Sequence, residues 1–126
     1  PPPPAFSVDK LIALAMPPYV TLQFGVDPAT LAMTSDGIVR YVVVARNAAG
    51  PSTAMYEGLR CATREVKTYA RQTSGSPWAM VKSPQWQALN ARLPSKHAAV
   101  LAGQGVCDSP SPTANSVADI VRALKK

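Results

Sequence analysis

The segment "SDGIVRYVVVARNAAGP", residues 35–51, constrains the fold more than any other part of the chain. Asp36-Gly37 is a strong hairpin turn signal at one end, and "NAAGP" makes a second turn at the other. Between them, an extended chain places Val39, Tyr41, Val43 and Ala45 on one side. Arg40, Val42, Val44 and Arg46 take the other side, apolar at its centre and charged at its ends. A strand whose two faces are both apolar at the centre belongs inside a sheet and is covered on both sides. The aliphatic stems of the arginines can cover its ends while their charged heads reach water.

The neighbouring segments supply partners. "YVTLQFGVD" alternates, with Val20, Leu22, Phe24 and Val26 on one face, and Asp27-Pro28 then forms a turn or a short capped helix. "AMYEGLRC" returns after the second turn, followed by "REVKTYA" and the short "WAMV". An antiparallel meander of about four or five strands results. Helical signals come later. "SPQWQALNARL" has Ser83 as a candidate cap, and "SKHAAVLAG" has Ser95 as a cap and Gly103 as a stop. "SVADIVRALKK" sets Ser116 and Asp119 in capping-box register, with Val117, Ile120, Val121 and Leu124 on one face. Strands followed by two or three covering helices give an α+β class. Residues 1–18, opening "PPPP", form a proline-rich arm with a short pairing segment near residues 11–14, and residues 19–126 form a single α+β domain ending in an amphipathic helix.

With 13 basic against 7 acidic residues the formal charge is +6, which favours an anionic partner. The basic residues are dispersed, so no specific nucleic-acid binding is expected. No apolar stretch approaches the roughly 20 residues of a membrane span. Two cysteines, Cys61 and Cys107, allow one internal bridge, and a reduced pair is the alternative.

Chemistry has little to start from. His97 is the sole histidine, neither a zinc-protease motif nor a phosphate-binding glycine loop is present, and no metal or cofactor is expected. His97 reads as a surface or hydrogen-bonded structural residue. Glu57 and Glu65 read as ion-pair partners of Arg60, Arg64 and Lys67, an environment that disfavours a general acid. The richest cluster is Arg40, Arg46, Tyr56, Glu57, Arg60 and Tyr69. An inward Glu57 requires an arginine to neutralise it. Trp78 and Trp86 read as core anchors.

Taken together, "FGVDPATL", "DGIVRYVVVARNAAG", "YEGLRC", "REVKTYA", the two tryptophans and the late cysteine resemble the cryptic neisserial protein-like family of small Gram-negative, mostly betaproteobacterial, envelope proteins. The shared motif falls on Asp36, Gly37, Val39, Arg40, Tyr41, Tyr56, Glu57, Gly58, Arg60 and Cys61. The resemblance implies a secreted or lipid-anchored protein, periplasmic or outer-membrane-associated, with any anchor upstream of this chain. It also implies an oxidising compartment and hence a Cys61–Cys107 disulfide, and it supplies no reaction. The expected function is a non-enzymatic interaction or structural role, with an envelope protein as partner. The alternative is a binder of a small anionic or glycan ligand through Arg40, Tyr56, Glu57, Arg60 and Tyr69.

Overall fold

The computed structural model describes residues 2–48, 50–90, 93, 95–108, 111–112 and 116–126. Its centre is an eight-stranded antiparallel sheet, more strands than the meander of about four or five expected. The three long strands are β4 (Ile38–Arg46), β5 (Thr53–Arg60) and β6 (Glu65–Thr73), joined as consecutive hairpins. The expected strands β2 (Gln23–Val26) and β7 (Ala79–Met80) flank these on either side, and the two-residue pieces β1 (Ile12–Ala13), β3 (Ala32–Met33) and β8 (Gln87–Ala88) raise the count. Two-residue strands leave almost no periodicity to read, which is why the count was underestimated.

β2 and β3 pair with opposite ends of the same edge of β4. The interruption between them is a 3-10 turn, Pro28–Thr30, capped by the Asp27 side chain on the Ala29 amide. Thr30 Oγ1 accepts from the Val42 amide at 2.8 Å, and the Asp27 amide donates to the Val42 carbonyl, so β4 loses no backbone partner across the break. The second Asp27 oxygen accepts from the Ser7 amide at 2.8 Å, which ties the proline-rich segment to this turn. Gly37, with φ of +83°, closes the β3–β4 turn as the Asp-Gly signal requires.

The alternation of β4 is realised on both faces. Val39, Tyr41, Val43 and Ala45 enter the larger core with Phe24, Val26, Leu59, Leu101, Val106, Ile120 and Leu124. Val42 and Val44 enter a second core with Ala54, Tyr56 and Ala70, covered by Phe6, Leu11, Tyr69 and Trp78. The Phe6 and Trp78 rings meet edge to face at 5.7 Å. The first face carries the helical layer: α1 (His97–Leu101), continuing into a widened π turn at Ala102–Val106, and α2 (Val117–Leu124). Ser116 caps α2 on the Asp119 amide, and Ile120 and Leu124 are buried from its apolar stripe.

The π turn does two things. It sends out Gln104, whose side-chain nitrogen donates to the Ala13 and Leu124 carbonyls at 3.0 and 3.1 Å and whose oxygen accepts from the Ala15 amide. It also brings Gly105 beneath α2, where a β-carbon would stand 2.8 Å from the Leu124 nitrogen. Beyond it β9 (Cys107–Asp108) pairs with β10 (Ser111–Pro112). Cys107 is bridged to Cys61, at the end of β5, with a Cα separation of 5.6 Å. The disulfide therefore fastens the helical layer to the sheet.

The helix expected over residues 83–93 is not formed where the chain is described; residues 91 and 92 lie outside the described residues. Ser83 has φ of +49°, incompatible with the extended backbone of a helix cap. Gln87 and Ala88 pair instead with Val66 and Glu65. The Trp86 ring, held under Arg60, draws this stretch onto the β6 edge.

Candidate functional site

The sheet presents two polar clusters on opposite faces. On the helical side, Tyr41 and Glu57 stand opposite each other in the β4–β5 register. Tyr41 Oη donates to Glu57 Oε1 at 2.9 Å. His97, the first residue of α1, is 2.9 and 3.0 Å from the two Glu57 oxygens through Nε2. Its Nδ1 is 2.6 Å from Ser95 Oγ. Thr68 Oγ1 adds a longer contact at 3.4 Å, and the Phe24 ring stacks on the imidazole at 5.1 Å. Glu57 and His97 are buried, and Tyr41 is fully so.

The inward Glu57 was expected to need an arginine; histidine and tyrosine satisfy it instead. His97 is thus a buried, hydrogen-bonded residue that docks α1 onto the sheet. Burial, then the adjacent Glu57 charge and the hydrogen bond to it, push the Tyr41 phenol well above its ordinary range. A carboxylate only accepts hydrogen bonds, so His97 Nε2 carries the proton toward Glu57. In a serine hydrolase Nε2 faces the nucleophile and Nδ1 the acid. Here the order is reversed and both ring nitrogens are engaged within the network. The network ties α1 to the β4–β5 hairpin. Glu57, Thr68, Arg71, Ser95 and His97 also border a cavity of about 230 Å³.

The opposite face holds the other residues singled out from the sequence. The β5–β6 register shifts between Tyr56 and Glu57, pairing Tyr56 with Ala70 and Glu57 with Thr68. Tyr69 is the extra residue of this bulge, and bulges re-aim side chains. Its ring lies 5.3 Å from that of Tyr56 and 5.1 Å from the Arg40 guanidinium. Gly58, opposite Arg40 on β5, leaves the space: a β-carbon there would approach Tyr69 Oη to 2.8 Å. Burial works against the Arg40 charge, while hydrogen bonding and charge interaction with Tyr69 and Tyr56 together outweigh it and hold the pKa above the usual arginine value. Arg40 Nε is buried and has no acceptor among the described residues.

The row continues. Lys67 Nζ stands 5.9 Å from the Tyr69 ring centroid and 4.9 Å from that of Trp86, and the Arg60 guanidinium lies 4.1 Å from Trp86. Arg60 donates to Glu65 at 2.8 Å, and this hydrogen bond, first among its causes, holds the Glu65 carboxyl below its ordinary value. Of the glutamates expected to pair with nearby cations, Glu65 does so. Arg40, Tyr56, Arg60 and Tyr69 therefore share one face, and strand alternation sends Glu57 to the other. Trp86 and Lys67 complete the row, and neither was named as a site residue. Trp86 was hidden by the helical reading of its segment, and Lys67 by its reading as an ion-pair partner.

Comparisons with known proteins agree with the motif. Neither the curated proteins nor the solved structures include a significant match to this chain. The profile of the CNP1-like family matches residues 1–125, nearly the whole of it. The resemblance carried by the "DGIVRY" and "YEGLRC" motifs thus extends over both faces described above, and the chain belongs to the CNP1-like family.

Proposed function

We propose that the protein is a non-enzymatic binding protein of the periplasm or outer membrane that engages an anionic glycan through the cation–aromatic face of its sheet. One observation carries this reading. Arg40, Lys67 and Arg60 are interleaved with Tyr69 and Trp86 along one sheet face, with Glu65 as the carboxylate paired there. Half-buried aromatic rings offer flat surfaces to the apolar faces of sugar rings. Cations already held against those rings meet anionic substituents with little further loss of side-chain freedom. The overall charge of +6 has the sign to draw such a partner in.

Titration with dextran sulfate against uncharged dextran tests this. Binding of the sulfated polymer alone is expected, weakening with salt as surface electrostatics do. Arg60→Glu and Lys67→Glu should each weaken it about tenfold or more, roughly 1.4 kcal/mol. Equal binding of both polymers, absence of binding, or indifference to both charge reversals would reject the reading.

A further inference from the structure

The helical layer covers only part of its sheet face. At the end of the sheet near the β4–β5 turn, Phe24, Ala45 and Met55 form the floor of a groove. The irregular segment between β1 and β2 supplies its wall through Met16, Val20 and Leu22. The groove has a volume of about 450 Å³, within the range of about 300–1,000 Å³ typical of small-molecule sites. Met16, Val20, Leu22 and Phe24 also border an adjoining cavity of about 390 Å³, so the apolar surface runs from one into the other. Tyr19 is 69% exposed and Leu22 37%, so two large apolar side chains bordering the groove face solvent.

The charged groups described along this surface have one sign. Lys96 borders the groove, with its ammonium 6.0 Å from the Tyr19 ring centroid, and Arg46 borders the adjoining cavity. Among the described residues no carboxylate lines either of them. Ser95, beside Lys96 and engaged with His97 Nδ1, links the groove to the Glu57–His97 network behind it. An apolar trough walled by unbranched, adaptable methionines suits a flexible alkyl chain. A rim that carries only cations selects the charge at the end of that chain.

We infer that this groove binds a monomeric single-chain amphiphile with an anionic head. The chain lies along Met16, Leu22, Phe24 and Met55, and the head group is held by Lys96. The groove bordered by Lys96 is on the face opposite the cation–aromatic row and stands or falls independently of it.

Isothermal titration with dodecanoate, kept below its micellar concentration, provides the test, with dodecyltrimethylammonium as the cationic counterpart. Saturable binding of dodecanoate, at least about tenfold tighter than that of the cation, is expected. Leu22→Glu and Lys96→Glu should each weaken it by a similar factor, with circular dichroism confirming that the variants are folded. Both positions are at the surface, and should Leu22→Glu fail to fold, Lys96→Glu alone decides. Equal affinity for both amphiphiles, no binding of dodecanoate, or unchanged affinity in folded variants would overturn the inference. So would retention on anionic vesicles without any binding of the monomer, which would point to a bilayer surface as the ligand.

Discussion

Glu57 and His97 are 40 residues apart in sequence, yet one imidazole nitrogen reaches both oxygens of one buried carboxylate. Through this contact the first turn of the helical layer is seated on the central hairpin. Removing one partner of a buried pair leaves the other without compensation, at a cost of about 3–5 kcal/mol. His97→Ala should lower stability in urea by about 3 kcal/mol, because Tyr41 still donates to Glu57. The double variant His97→Ala/Glu57→Gln should lose less than the sum of the two single changes. Strict additivity would show that the two residues are not coupled.

Tyr41 predicts an alkaline limit. Its folded-state pKa is raised, so the folded chain holds this proton more tightly than the unfolded one. The associated stability is fully present below the unfolded value of about 10 and declines as pH rises beyond it toward the folded value. Unfolding free energies measured from pH 8 to 11 should fall above about pH 10. Tyr41→Phe should flatten that fall while lowering stability at pH 8 through the lost hydrogen bond. An identical alkaline slope in the variant would assign the effect to other tyrosines.

The Cys61–Cys107 bridge closes a loop with a sequence separation of 46 residues. Loop-closure entropy puts its contribution at about 4 kcal/mol. Reduction, or the double substitution of both cysteines by alanine, should lower the urea midpoint accordingly. A loss of unfolding free energy below about 1 kcal/mol would mean that the reduced, unfolded chain is already constrained.

Gly105 and Gly103 make a paired test. At Gly105 an added β-carbon meets backbone atoms of Ala123 and Leu124 at 3.0 and 2.8 Å, and backbone cannot rotate aside. Gly105→Ala should cost about 1–3 kcal/mol and loosen α2, seen as faster amide exchange in residues 117–124. At Gly103 nothing lies within 4 Å, and Gly103→Ala should be neutral or stabilising by up to about 1 kcal/mol. Equal effects at the two sites would contradict the close approach of α2 to the π turn.

What could be read before folding followed the range of the interactions. Both faces of β4, the Asp36-Gly37 turn, the Asp27 cap and the Ser116 cap depend on residues close in sequence, and each appears as expected. The segment at residues 83–93 has helical spacing, but its contacts are with the sheet, through strand pairing of Gln87 and Ala88 to β6 and through Trp86 against Arg60 and Lys67, which no local pattern encodes. The partner of Glu57 was misjudged for the same reason. Tyr41 was within reach of hairpin register, but His97 arrives on a different element. The division of the candidate residues between faces follows from alternation, yet Tyr69 joins Arg40 through a bulge that sequence does not announce.

The two margins of the sheet carry a consequence for life at high concentration. β4 is long, β-branched and almost free of charge at its centre, the composition that stacks into fibrils when it lies at a border. It is instead an interior strand, flanked by β5 on one side and by the broken pair β2 and β3 on the other. The outermost pieces among the described residues, β1, β3, β7 and β8, are each only two residues long. A second molecule finds too few free amides and carbonyls in a row to continue the ladder. The fragments that blur the strand count are what let so sticky a strand be carried safely by a crowded protein.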